Sequence, residues 1–115
     1  MADDENIRFT QGNQSDLLKA MQKCLERFNY AHPMQVKITK TELSIDDRSD
    51  QLIAMIMNLV EPFSFDDMIQ DVQDRGVLIV TFLAILELNR RNLLSFSFND
   101  QDVHFRRGSA YGYNA

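Results

Sequence analysis

The sequence predicts a single small α+β domain, mostly helical, that closes with a β-hairpin. Three observations carry this prediction. Apolar residues recur at helical spacing in three separate stretches. Between the second and third lies a compact helix-start signal, Pro62 to Ile69. The last apolar stretch, Leu93 to Phe98, instead alternates with period two, and Val103-His104-Phe105 alternates again after a turn. A length of 115 residues has room for one domain, and a hydrophobic share of 44% is ample for a packed core. The expected organisation is a flexible lead-in over 1–13, a domain over 14–107 and a fraying tail over 108–115.

The lead-in is polar, with Ile7 and Phe9 as its apolar anchors. From Gln14 to Tyr30, Leu17, Leu18, Met21, Leu25 and Phe28 line one face of an amphipathic helix. Asn13 or Ser15 caps its start, and His32-Pro33 ends it, because a residue before proline avoids the helical region. Val36-Lys37-Ile38-Thr39-Lys40 alternates and is β-branched, which predicts a short edge strand guarded by its lysines. A second helix is expected from about Asp46 to Val60, with Leu52, Ile53, Met55, Ile56, Leu59 and Val60 as its stripe and Pro62 beyond its end. Ser64 then reads as an N-cap with Asp67 at the third helical position, and Phe63 and Met68 stand where a hydrophobic staple requires them. That short helix is expected to reach about Val72. Asp74 caps a third principal helix, Arg75 to about Asn92. In the hairpin that follows, Leu94, Phe96 and Phe98 share a face with Val103 and Phe105 opposite them, and Asn99-Asp100 makes the turn.

Composition narrows the function. With 12 basic and 17 acidic residues the chain carries a net charge of −5, a poor starting point for a general phosphate binder. A single cysteine, Cys24, allows no internal disulfide and no paired-cysteine zinc site, and its neighbours Met21 and Leu25 predict a buried, inert thiol. The acidic start, Met1-Ala2-Asp3-Asp4-Glu5, is unlike a signal peptide, and no apolar run reaches the ~20 residues that span a bilayer. A cytoplasmic protein is therefore expected. No enzymatic constellation emerges. His32 and His104 lack ligand partners at metal spacing, Asp66-Asp67 sits where a helix N-terminus favours carboxylates, and there is no glycine-rich phosphate loop. The expectation is a protein without cofactor, metal or catalytic residues.

The helix from Arg75 decides between kinds of partner. At 100° per residue, Leu78, Ile79, Phe82, Leu83, Ile85 and Leu86 gather on one side, the expected core face. The other side carries Val77, Val80, Thr81, Ala84, Glu87, Leu88 and Arg91 and is still mostly apolar. A helix apolar nearly all round must be covered nearly all round, by the first helix or by a partner protein. The polar face with which a helix reads base edges is missing.

Three closely spaced helices followed by a hairpin form the winged-helix arrangement, with the hairpin as wing, preceded here by an accessory helix and a short strand. Phe63-Ser64-Phe65-Asp66-Asp67-Met68-Ile69 followed by Thr81-Phe82-Leu83-Ala84-Ile85-Leu86-Glu87-Leu88 resembles the C-terminal domain of bacterial kleisins, the segregation and condensation protein A family. Residues 16–28 and Leu43-Ser44-Ile45-Asp46-Asp47-Arg48 extend the resemblance over roughly 14–107. The wing, Leu94 to Phe98 and Gln101 to Phe105, departs from the family's usual ending. The family's N-terminal domain has no counterpart, so the chain is expected to be a fragment or a single domain.

The resemblance implies a domain that docks on the ATPase head of an SMC protein and helps close a ring around chromosomal DNA. It also implies a second accessory subunit, segregation and condensation protein B, on the full-length protein, with DNA handled only indirectly and the assembly associated with the nucleoid. The residues expected to meet the SMC head are Leu93, Leu94, Phe96 and Phe98 of the wing, with Arg90, Arg91, Val80, Ala84, Glu87 and Leu88 of the preceding helix. Aromatic and arginine side chains are the usual anchors of such interfaces. Glu87 and Arg91, four apart, are also placed to pair with each other. The rival is a winged-helix DNA-binding regulator, supported by Arg75, Arg90, Arg91, Arg106 and Arg107 if they cluster.

Overall fold

The computed structural model describes residues 14–31, 43–99 and 102–109. In chain order the elements are α1 (Gln14–Ala31), α2 (Ile45–Ile56), α3 (Phe65–Met68), α4 (Arg75–Arg90), β1 (Leu94–Asn99) and β2 (Asp102–Arg107). The chain is thus α+β and mostly helical, with one two-stranded antiparallel sheet. The strand expected at Val36 to Lys40, the lead-in and the Asn99-Asp100 turn lie at least partly outside the described residues.

α1 buries Leu17, Met21, Cys24 and Phe28, a strict i, i+4, i+7, i+11 stripe. Leu18, expected in that stripe, is instead exposed, and Cys24 takes the inward place. Ser15 lies inside the helix and is not its cap.

α2 starts one residue before expectation because Ser44 is its N-cap, accepting a hydrogen bond from Asp47 N at 3.0 Å. It ends at Ile56, short of Val60, which is 85% exposed. The early end is held by an arginine from the other end of the chain. Arg107 Nη1 donates to the carbonyls of Ile56 (2.9 Å) and Leu59 (3.1 Å), satisfying acceptors that a helix C-terminus leaves open.

α3 is a single turn with the expected capping box. Ser64 Oγ accepts from Asp67 N, and Asp67 Oδ2 accepts from Ser64 N. Phe63 and Met68 are both buried, but the helix stops at Met68 rather than near Val72. Asp74 caps α4 through Val77 N at 2.9 Å. α4 ends at Arg90 in a Schellman motif. Asn92 takes the left-handed conformation (φ 63°), Leu93 N donates to Leu88 O at 2.9 Å, and Asn92 N donates to Asn89 O at 3.1 Å. Glycine commonly fills that left-handed position; asparagine tolerates it.

α2 packs most extensively on α4, which also supports β1 and α1, while α1 reaches β2. The hairpin register pairs Phe96 with Phe105 and Phe98 with Val103, as its alternation predicts. A third segment joins the sheet. Phe63 and Phe105 exchange backbone hydrogen bonds of 2.9 and 2.8 Å, so the segment leading into the Ser64 cap of α3 lies along the outer side of β2. Phe65 sits edge-on to Phe105 and Phe82, with ring centroids at 4.9 and 5.7 Å. Each such buried aromatic side chain stabilises the fold by roughly 1.5–3 kcal/mol through area alone. Gly108, expected to open the tail, is buried and donates to Leu93 O at 3.1 Å. A Cβ there would meet Asn92 O at 2.1 Å, so only glycine lets the strand end close over the turn after α4.

Candidate functional site: the outward side of α4 and the hairpin

The face of α4 that enters the core overlaps the expected one in part: Leu78, Phe82 and Ile85 are buried as expected. Leu78, Thr81, Phe82, Ala84, Ile85 and Leu88 are buried, whereas Ile79 and Leu83, expected inside, are 39% and 43% exposed. Ala84 and Leu88, expected at the partner surface, are therefore unavailable to one, and so is Leu94, the buried first residue of β1.

The rotation is fixed by Arg48. This side chain is only 1% exposed and lies on the inward face of α2, four residues before Leu52 and eight before Ile56. Its Nε donates to Thr81 Oγ1 at 2.8 Å, its Nη1 to Gln51 Oε1, and its two terminal nitrogens to the two carboxylate oxygens of Asp71, both at 2.8 Å. Thr81 in turn donates to Val77 O at 2.6 Å. A buried guanidinium must have its donors met, so the polar residue of α4 turns inward and carries Leu78, Ala84, Ile85 and Leu88 with it. The hydrogen bonds from Arg48 hold the Asp71 carboxyl below its ordinary range.

What remains outward is a stripe at helical spacing, Ile79, Leu83 and Arg90, bordered by half-buried Val80, Leu86 and Glu87. Beyond it the chain continues into Leu93, half-buried, and into Phe96 and Phe98, half-buried with their rings edge-to-face at 5.9 Å. Of the residues expected at the partner surface, Val80, Glu87, Arg90, Arg91, Leu93, Phe96 and Phe98 keep exposed area, and Ile79 and Leu83, not among those expected there, are exposed as well. The signal for their exposure was Arg48 at an inward position of α2, which demands a polar partner on the helix facing it.

Glu87 pairs with Arg91 as expected, and with Arg90 too. Its carboxylate accepts from Arg90 Nη2 at 2.6 Å and Nε at 3.1 Å, and from Arg91 Nε at 2.8 Å. Arg90 first and Arg91 second push the Glu87 carboxyl down to about 2. Asp46 lies 3.7 Å from Arg91. Arg107 is tied to Glu61 and to helix carbonyls. The arginines that would serve a DNA-binding surface are thus divided. Arg90, Arg91 and Arg107 are engaged by carboxylates, Arg75 is half-buried, and Arg106 is exposed.

Burial raises the Cys24 thiol above its ordinary value, which keeps it protonated and unreactive at neutral pH. Among the described residues, no three histidine, cysteine or carboxylate side chains converge as metal ligands would, and no helix is long and apolar enough to cross a membrane.

These features define a small α+β domain whose buried polar groups serve its own architecture and whose last helix keeps apolar side chains outward. The family described as segregation and condensation protein ScpA matches residues 5–105. The chain belongs to that family. Relatives named segregation and condensation protein A include one from Listeria monocytogenes serotype 4a, 37% identical over 70% of this chain and 32% of its own length. Another, from Listeria innocua, is 36% identical over 75% of this chain and 36% of its own. A third, from Bacillus velezensis, is 30% identical over 77% of this chain and 36% of its own. The chain spans about a third of the length of the curated relatives it matches. No solved structure matches it.

Proposed function

We propose that the domain is a winged helix that docks on the ATPase head of an SMC protein and helps close a ring that acts in chromosome condensation and segregation. The observation that carries this reading is the outward stripe of Ile79 and Leu83 on α4, continuous in sequence with half-buried Leu93, Phe96 and Phe98. Water-facing apolar residues on a helix, ending at arginines, have the make-up of a protein interface: an apolar centre with a charged rim. Family membership supplies the setting. The relatives are named for segregation and condensation, and this chain corresponds to a third of their length. In its full-length form the protein would also carry a second accessory subunit, segregation and condensation protein B, and the assembly would work at the nucleoid in the cytoplasm, handling DNA only indirectly. The ATPase chemistry belongs to the SMC protein, and this domain contributes attachment.

Co-elution with an isolated SMC head tests the reading. Leu83→Glu alters an exposed position and should abolish co-elution while the thermal midpoint holds. Leu93→Ala and Arg91→Ala should weaken it in the same assay. Unchanged head binding in all three variants would sink the assigned face. Salt-sensitive binding to duplex DNA without head binding would favour the regulator instead.

A further inference from the structure

The hairpin leaves one strand edge open. Phe105 spends both its backbone N–H and its C=O on Phe63. It has neither left for Phe96, its register partner in β1. In an antiparallel ladder the residues of such a non-hydrogen-bonded pair turn their backbone groups away from each other. Phe96, and Phe98 two residues on, thus direct N–H and C=O away from β2. Two further bonds fit this alternation. Arg107, across from Leu94, donates its N–H to Glu61, and the Leu94 carbonyl accepts from Asn89 Nδ2 at 2.9 Å. Asn89 closes the row at one end. Among the described residues, none meets the backbone groups of Phe96 or Phe98.

Natural sheets guard open edges with charge, proline or a bulge. β1 has none of these. It reads Leu-Ser-Phe-Ser-Phe-Asn, and its register with β2 is unbroken. β2, already bonded on both sides, is the strand that carries Asp102, His104, Arg106 and Arg107. The rings of Phe96 and Phe98 are only half-buried. An uncharged edge beside part-exposed aromatic rings is the pattern of a strand that takes another strand.

We infer that the open edge of β1 pairs antiparallel with β1 of a second copy of this chain, about a twofold axis through Ser97. The edge is its own complement, as an isologous contact requires. Phe96 of each protomer meets Phe98 of the other, and the open N–H and C=O groups of both residues are all used. The phenylalanine rings of the two protomers gather on one face, where cross-strand aromatic pairs are favourable. Ser95, Ser97 and Asn99 share the other face, and no charge within β1 meets its like. A foreign strand would use the same backbone groups, but a second copy brings the matching alternation with it. The contact is small, so the dimer is weak and belongs to the domain whose Phe96 and Phe98 are not engaged elsewhere. The inference rests on strand geometry alone and stands or falls without the SMC head.

Sedimentation velocity of the full chain, from about 10 µM to about 1 mM, should show a monomer giving way to a dimer. Ser97→Cys sets two thiols across the axis, where the paired Cα atoms of such a ladder stand about 4.5 Å apart, within disulfide reach. Under mild oxidant this variant should form a linked dimer about tenfold faster than Ser95→Cys, although Ser95 is the more exposed of the two. Native Cys24 is buried and stays out of the reaction. Ser97→Lys puts like charges opposite each other and should weaken association about tenfold at an unchanged thermal midpoint in dilute solution. A monomer at every concentration would leave the edge to a foreign strand and overturn the inference. Equal linking at both positions, or a Ser97→Lys dimer of unchanged strength, would overturn it too. So would slow exchange of the Phe96 and Phe98 amides in the dilute monomer, because the chain's own residues would then cover the edge.

Discussion

The molecule contains two arginine–carboxylate clusters built from the same chemistry and set in opposite surroundings. In one, Arg48 is buried between α2 and α4 and reaches Asp71, Gln51 and Thr81 at 2.8 Å. In the other, Glu87 sits between Arg90 and Arg91 at the end of α4, where the Arg90 side chain is 69% exposed. The first fixes how α4 is turned and therefore which of its residues reach the surface. The second decorates the surface that results. Similar distances thus carry different energies. A buried charge without its partners is costly, whereas an exposed pair exchanges protein contacts for water at little net gain.

Four substitutions sharpen or break that contrast. The largest effect is expected for Arg48→Ala, which removes a packed side chain and strands its partners, at about 3–5 kcal/mol by chemical denaturation. A cost below about 1 kcal/mol would show that the buried cluster does not hold the helices. Thr81→Val keeps the shape but leaves Arg48 Nε without an acceptor, and should cost about 1–3 kcal/mol in the same measurement. Asp71→Asn should cost less, about 1–2 kcal/mol, because the Asp71 side chain is 50% exposed and water partly replaces it. The Asp71 carboxyl is depressed in the folded chain. Its contribution is therefore present above the unfolded carboxylate value and is lost as pH falls through the folded one. Acid titration should accordingly narrow the gap between wild type and Asp71→Asn. Glu87→Gln sits at the other end of the series. The thermal midpoint at neutral pH should not move measurably, and any difference should vanish in high salt. Glu87 titrates near 2, so whatever it adds is present above the ordinary value and fades only as pH falls toward 2. A midpoint drop as large as that of Thr81→Val would erase the distinction between the clusters.

Much of the architecture was legible in the sequence because its signals are local. Ser64 and Asp67 announce α3, Asp74 announces α4, and the alternation from Leu94 to Phe98 sets a register in which Phe96 faces Phe105. The element ends were less legible because their causes are distant. α2 stops where Arg107, far along the chain, meets its last carbonyls. The candidate surface was read only in part for the same reason. With apolar residues on nearly every side of α4, periodicity placed Leu78, Phe82 and Ile85 inward but set Thr81, Ala84 and Leu88 outward, where the fold buries them. The choice is made by a hydrogen bond from α2, a pairing between helices that no spacing within α4 encodes. Glu87, Arg90 and Arg91, by contrast, are helix neighbours, and their contact follows from sequence separation.

The backbone bridge between Phe63 and Phe105 bears on how the hairpin moves. A two-stranded hairpin on its own is marginal in water. Here β2 is bonded on both sides, to β1 and to the segment that leads into α3, whose Phe65 ring packs on Phe105. Detaching the hairpin therefore means pulling Phe105 out of the core as well as breaking two hydrogen bonds. The amide protons of Phe63 and Phe105 should consequently exchange with solvent only when the whole domain opens, at the same free energy as the slowest amides of α4. The hairpin then moves as a rigid arm of the helical body, and its surface is ordered as the domain folds.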